Sequence, residues 1–150
     1  SRLMQIVGRR YTVAFNRRHG RSGTLWDGRF RAAVLEPGRW LVPALRYVEE
    51  AGTADPAEHL DSGPHHRGER ADPVVSDHPA FWALGNTPFE REAAYRLQSA
   101  TPLATAERAA LEHAMLHGWA LGSDAFHAGL AAGGERPLRP RRSGRPPRAA

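Results

Sequence analysis

The first regular pattern of apolar positions covers residues 3–19. Apolar side chains, among them Val7, Tyr11 and Phe15, recur there at steps of three and four residues, which predicts an amphipathic helix. Gly20 follows at the position where a left-handed residue commonly ends a helix. The pattern therefore predicts a first helix that stops at Gly20.

Residues 23–35 show a different pattern, in which charged and apolar side chains partly alternate. The alternating set is Arg29, Phe30, Arg31, Ala32 and Val34. Alternation of this kind predicts a short extended segment with arginines on one face and apolar side chains on the other. Glu36-Pro37-Gly38 then predicts a turn.

A second helix with an apolar stripe is expected to start near Arg39, which would leave Pro43 close to its first turn, where proline costs least. Four prolines interrupt residues 51–80, so that stretch is expected to be loop with short helical turns at most. Helical patterns return at residues 80–84, 89–97, 105–116 and 124–130, with Thr105 as the expected N-cap of the third of these. The chain is therefore predicted to be mainly α, with one short β segment.

Charge is distributed unevenly along the 150 residues, whose formal net charge is +5. Residues 1–50 hold ten arginines against four acids, residues 51–135 hold five against twelve, and residues 136–150 hold six and no acid. Every cationic residue is arginine, which suits phosphate contacts but also fits a GC-rich coding bias. A polyanion should meet the basic ends of the chain.

Seven arginines lie close together in the first basic stretch, with Asp27 the only acid between them. They are Arg9, Arg10, Arg17, Arg18, Arg21, Arg29 and Arg31. We expect them to form a phosphate-binding surface, although a merely solvated face is the plain alternative. In the Pro/Arg-rich tail, which is predicted to be disordered, Arg142 and Arg145 are expected to bind phosphates without sequence preference.

Other classes of site have little support in the sequence. There is no cysteine, so disulfides and thiolate metal sites are excluded. His113 and His117 stand four residues apart, yet surface histidines are the better interpretation, and we predict no metal site. No apolar run approaches the roughly 20 residues that span a membrane, so a cytoplasmic protein is expected.

Several stretches together resemble a known protein family. These are GRRYTVAFNRRHGRSGTLWDGRFRAAVLE, the following LRYVE, and the later HHRGERADPVVSDHPAFWALG and GWALGSDAF. In order and over nearly the whole chain, they are similar to the second half of the REP-associated and insertion-sequence-type single-tyrosine HUH transposases. The resemblance implies the C-terminal part of a ferredoxin-like α+β domain that cleaves and rejoins single-stranded or hairpin DNA.

The resemblance also implies particular site residues. By its position in RYVE, Tyr47 corresponds to the nucleophile that forms a covalent link to DNA. In the intact family two histidines of a His-hydrophobic-His motif hold a divalent metal, Mg²⁺ or Mn²⁺, that polarises the phosphate. This chain has no His-x-His sequence. Ala51 occupies the place of the metal-assisting polar residue, and Glu50 is one position out of register for a substitute.

These departures favour a truncated or decayed member that binds DNA but has impaired catalysis and holds no metal. The expected organisation is a partial catalytic domain over residues 1–50, a loop-rich and then helical region over 51–135, and the tail 136–150. A homodimer that covers an exposed face is a further expectation. The alternatives are a non-enzymatic DNA-binding module and a helical interaction protein.

Overall fold

The computed structural model describes residues 2–28, 30–51 and 61–134. Seven helices are found in these ranges: α1 (Arg2–His19), α2 (Pro37–Glu50), α3 (Gly63–His66), α4 (Pro79–Trp82), α5 (Pro88–Ser99), α6 (Thr105–His117) and α7 (Asp124–Gly133). The chain divides into two compact units, Ser1–Ala32 and Ala33–Ala150. The prediction of a mainly helical protein is confirmed.

The first unit consists of α1 and the chain that returns along it. The helix ends at Gly20, whose φ of 59° is left-handed, as the sequence predicted. Beyond it, the side-chain amide of Asn16 donates to the carbonyl of Gly23 at 2.8 Å. Trp26 then lies beside α1, with its ring centroid 5.8 Å from that of Tyr11. No residue of α1 is buried, so its apolar stripe covers no core.

The strand predicted over residues 23–35 is wrong for the described part of that segment. Gly23 and Gly28 take left-handed φ values of 94° and 89°, which break an extended run twice. Phe30 and Val34 stay about half exposed. Arg29, part of the predicted alternation, lies outside the described residues.

The β pairing seen in the described ranges is a single parallel bridge between Leu35 and Leu121. Glu36, directly after the bridge, accepts two hydrogen bonds from Ser123, 2.7 Å from its backbone nitrogen and 2.8 Å from its hydroxyl. The backbone bond comes first among the causes that lower the pKa of Glu36. These contacts fasten the start of α2 to the start of α7. A ferredoxin-like sheet is not among the described elements.

Helix α2 is the centre of the second unit, since it contacts α3, α4 and α6. It begins at Pro37, two residues before the expected start, because proline is well suited to the first helical turn. Pro43 therefore lies inside the helix rather than near its first turn, which corrects the prediction. Trp40, on the predicted apolar stripe, is buried.

The core of the second unit joins α2 to α6 and to the segment between α5 and α6. Its buried members are Trp40, Leu103 and Leu111, and the partly buried residues packed against them are Leu35, Ala44, Tyr47, Ala110 and Leu121. Burying side chains of this size contributes roughly 1.5–3 kcal/mol each. This cluster fixes the position of α2 and hence of the side chains on its other faces.

The later helices agree with the predicted segments to within a few residues, and their ends have clear causes. Thr87 and Glu90 form a complete capping box at the start of α5. Thr105 is the first helical residue of α6 rather than its cap; Ala104 takes the cap position and makes no side-chain bond. Gly118 ends α6 with a left-handed φ of 68°. Residues 61–78 are loop apart from α3, as expected.

Candidate functional site

Four arginines of α1 line one shallow groove, which we call the arginine groove. It is formed by Arg9, Arg10, Val13, Ala14, Arg17 and Arg18. Steps of three and four residues bring these positions to one side of the helix. The four arginines are exposed, and α1 contains no acidic residue. The groove is therefore a compact cationic surface.

The other predicted DNA-binding arginines are less concentrated. Arg21 follows the end of α1 and its guanidinium carbon stands 5.8 Å from the centre of the Phe15 ring. Arg31 is exposed in the segment after Gly28. Arg29, Arg142 and Arg145 lie outside the described residues. The structure thus brings four of the nine predicted arginines into one groove.

Tyr47, the residue that corresponds to the family nucleophile, lies on α2 and is half-buried. Its ring packs against the core formed by Trp40, Leu103 and Leu111. On another side the guanidinium carbon of Arg108 stands 5.6 Å from the ring centroid. The surroundings of the ring are those of a packed aromatic residue with one cationic neighbour.

Glu50 and Ala51, at the end of α2, do not supply a metal ligand beside Tyr47. Glu50 accepts a hydrogen bond from Arg108 at 2.5 Å and forms a 3.5 Å ion pair with Arg46. Ala51 caps the end of the helix. Within residues 2–28, 30–51 and 61–134, no three histidine or acidic side chains are grouped so that they could hold a metal. These residues do not fit the divalent metal that the resemblance implies.

His113 and His117, the i,i+4 pair, lie with their ring centroids 4.4 Å apart. The His117 ring also stacks against Trp119. Both histidines are exposed on the last turns of α6, which agrees with their interpretation as surface residues.

A buried polar network on the other side of α2 is the best-defined side-chain arrangement of the second unit. The Glu49 carboxylate accepts from Ser62 Oγ and His66 Nδ1, each at 2.7 Å, and from the Tyr95 hydroxyl at 2.6 Å. The side chains of Glu49 and His66 are 6% and 4% exposed, and Tyr95 is fully buried. We call these four residues the Glu49 network.

The electrostatics of the Glu49 network follow from its burial. Burial alone would raise the pKa of the Glu49 carboxyl, but hydrogen bonds from His66, Tyr95 and Ser62 outweigh it and lower that pKa. Burial, and then the hydrogen bond to Glu49, raise the pKa of the Tyr95 hydroxyl. The carboxylate is therefore ionised at neutral pH while the phenol keeps its proton.

Aromatic packing and a second carboxylate complete the surroundings of His66. Its ring centroid lies 4.9 Å from that of Phe81 and 5.4 Å from that of Tyr95. Asp77 Oδ1 stands 3.8 Å from His66 Nε2 and 3.6 Å from His65 Nε2. The arrangement ties the loop at residues 61–77 to α2 and α5 and has a structural role.

Sequence reasoning did not identify the Glu49 network. Glu49 is separated from His66 by 17 residues and from Tyr95 by 46, so no local motif connects them. The one available signal was helical register, because Glu49 continues the row of Leu41 and Leu45 at steps of four. A carboxylate at the end of an apolar row needs buried donors.

A scan against protein-family models, a search of curated proteins and a search of solved structures each found no significant match to the chain. Among the helices of the described ranges, none combines the length and apolar character needed to cross a membrane.

Proposed function

We propose that this chain is a DNA-binding protein of the single-tyrosine HUH transposase class, with impaired strand cleavage and rejoining at Tyr47. The arginine groove carries the proposal, because four exposed arginines on one helix side stand without an acid on that helix. Guanidinium groups bind phosphate oxygens in a planar fork, and release of counterions makes such binding favourable. DNA as the partner agrees with a cytoplasmic protein.

The surroundings of Tyr47 support impaired catalysis. A tyrosine nucleophile needs an adjacent base or metal to activate its hydroxyl. Tyr47 instead packs its ring into the core, and Glu50, about one turn further along α2, is engaged with Arg108 and Arg46. The guanidinium of Arg108, beside the Tyr47 ring, is a cation that can bind a DNA phosphate without any cleavage. DNA binding and DNA cleavage are therefore measured separately.

The binding test uses a single-stranded hairpin DNA and fluorescence anisotropy over a range of salt concentrations. The affinity of the unaltered protein should fall steeply with salt. If Arg9, Arg10, Arg17 and Arg18 each contact one phosphate, changing all four to Gln reduces the slope of log affinity against log salt by about 3. Binding that does not depend on salt would contradict the proposal.

A matched control separates local geometry from net charge. The double variant Arg17→Gln/Arg18→Gln removes two charges from the groove, whereas Arg39→Gln/Arg70→Gln removes two exposed charges from the second unit. The groove variant should weaken binding at least several-fold more than the control. Equal losses of DNA affinity in the two variants would show that affinity depends only on total charge, and the arginine groove would then not be the DNA-binding surface.

The cleavage test uses the same hairpin with Mg²⁺ or Mn²⁺ and separates products under denaturing conditions. The proposal expects little or no covalent protein–DNA adduct. An abundant adduct that is absent from Tyr47→Phe would show that Tyr47 is a competent nucleophile, and impaired catalysis would then be wrong.

A helical interaction protein is the second candidate, and one observation favours it. Leu3, Val7 and Tyr11 on α1 are between half and nearly three-quarters exposed, and a row of exposed apolar residues is typical of an interface. A second copy of the chain is the simplest partner. Sedimentation at several concentrations, together with an absence of DNA binding, would favour this function over the first.

A further inference from the structure

A cleft with aromatic residues on its wall opens on the first unit, and we call it the aromatic cleft. Its volume is about 900 Å³ and its lining is mainly apolar, with Met4, Val7, Trp26, Phe30 and Arg9 among the residues. Sites for small organic molecules have volumes of roughly 300–1,000 Å³ and mainly apolar walls. The cleft is large enough for a planar ring system.

Trp26 is held in place while part of its ring remains open. The Tyr11 ring supports it with centroids 5.8 Å apart and planes 41° apart. Its indole nitrogen lies 3.5 Å from the carbonyl of Gly8 on α1. Even so, 52% of Trp26 and 46% of Phe30 remain exposed. Two aromatic side chains thus offer surface for stacking.

Charge decides which kind of ring the cleft would accept. The charged residues of its lining are Arg9 and Asp27, and Arg9 also lines the arginine groove, so the stacking surface adjoins a row of cations on α1. A ligand that fits both must carry a planar ring on a chain of negative charges. Single-stranded DNA has this chemistry, because its bases stack on aromatic side chains while cations follow its backbone.

We propose that the aromatic cleft takes an unpaired nucleobase of single-stranded DNA, stacked on Trp26 and Phe30, while its neighbouring phosphates lie in the arginine groove. This inference rests on the proposed DNA binding and adds a base site to it. In a duplex the faces of the bases are already stacked on one another, so the cleft selects an unpaired base. Stacking tolerates every base, so little sequence preference is expected.

The test compares oligothymidylate with an abasic strand that has the same number of phosphates. Both are titrated by fluorescence anisotropy at one salt concentration with the unaltered protein. The abasic strand should bind about tenfold more weakly, the loss expected for one stacked base. Tryptophan emission should be quenched by oligothymidylate but not by the abasic strand, because only the base contacts Trp26.

Variants assign the effect to the cleft. Trp26→Leu should weaken oligothymidylate binding about tenfold and abolish the difference between the two strands, whereas Trp26→Phe should keep most of it. Trp82→Leu is the matched control, since Trp82 is 55% exposed and belongs to the second unit. It should leave both affinities unchanged.

The outcomes separate this inference from the proposed function. Equal affinity for the two strands, with salt-dependent binding retained, would overturn the base site and leave DNA binding in place. If the unaltered protein shows no salt-dependent binding to either strand, both the base site and the proposed DNA binding are contradicted. A mass that doubles with concentration, together with equal affinity for the two strands, would show that a second copy of the chain covers the cleft.

Discussion

The Tyr95 hydroxyl donates a 2.6 Å hydrogen bond to Glu49 Oε2 across 46 residues of sequence. Tyr95 is fully buried, and Glu49 stands near the end of α2. The bond therefore joins α5 to α2 at a point where water has little access. A hydrogen bond to a charged acceptor in such a place contributes more than one on the surface.

Tyr95→Phe should lower the free energy of unfolding by about 1.5–3 kcal/mol. The ring and its contacts with His66 and Phe81 remain, so the loss reports mainly on the hydroxyl. Urea unfolding followed by circular dichroism measures it. Tyr11→Phe is the control, because Tyr11 is 53% exposed and its change should stay within about 0.5 kcal/mol. Equal losses in the two variants would contradict a stabilising role for the Tyr95–Glu49 bond.

The Glu49 network should also make stability depend on pH in the acid range. Its carboxyl has a pKa lowered from the usual 4.5, so the native state favours the ionised form more than the unfolded state does. This contribution is fully present above pH 4.5 and is lost as the pH falls through the lower, native pKa. The free energy of unfolding should therefore decrease with acid below that pH.

Glu49→Gln tests this dependence directly. The variant should be less stable at pH 7 and should lose less stability between pH 4.5 and pH 2.5 than the unaltered protein, because it cannot titrate. Glu69→Gln removes the same charge from a side chain that is 52% exposed and serves as the control. An acid dependence that Glu49→Gln leaves unchanged would show that other groups cause it.

Helix positions were predictable from the sequence because they depend on the local periodicity of apolar residues and on the residues that end helices. The steps of three and four residues before Gly20 marked α1, and its end follows from the left-handed φ of that glycine. The start of α2 lies two residues before the expected one, because Pro37 and Gly38, which predict a turn, form its first helical residues.

The strand and the Glu49 network were not predictable in the same way. Alternation around Phe30 indicates a strand only if a partner strand exists, and partners are set by the whole fold. The Glu49 network depends on the joint placement of α2, α3 and α5, which fix Glu49, His66 and Tyr95. A sequence shows these residues as three unrelated polar positions. Contacts between residues far apart in the sequence therefore cannot be predicted from the periodicity of apolar residues.

Gly122 stands where the backbone passes between Leu121, which bridges to Leu35, and Ser123, which binds Glu36. A Cβ at this position would meet the Phe126 ring and would lie 2.8 Å from Glu36 Cβ. Gly122→Ala should therefore lower the free energy of unfolding by about 1–3 kcal/mol, as overpacking does. Chemical denaturation measures the change.

Gly129→Ala is the matched control for that substitution. Gly129 lies within α7 and nothing approaches its Cβ position within 4 Å, so alanine should raise stability by up to about 1 kcal/mol through its better helix propensity. The two substitutions add the same methyl group but should act with opposite signs. The same sign in both would mean that the fit around Gly122 does not set the cost.

Tyr47 combines a packing role with the position of the family nucleophile, and two substitutions separate these roles. Tyr47→Phe keeps the ring against Trp40 and Leu111, so stability should change by less than about 0.5 kcal/mol. Tyr47→Ala removes the ring and should cost about 2 kcal/mol, the lower end for large-to-small changes, because the ring is half-buried. Thermal and urea unfolding of both variants measure the difference.

Because the arginine groove is proposed to hold the DNA, Tyr47→Phe should also retain full affinity for hairpin DNA. If it loses affinity while its stability is unchanged, the Tyr47 hydroxyl contacts DNA, and packing alone does not explain its place in the chain.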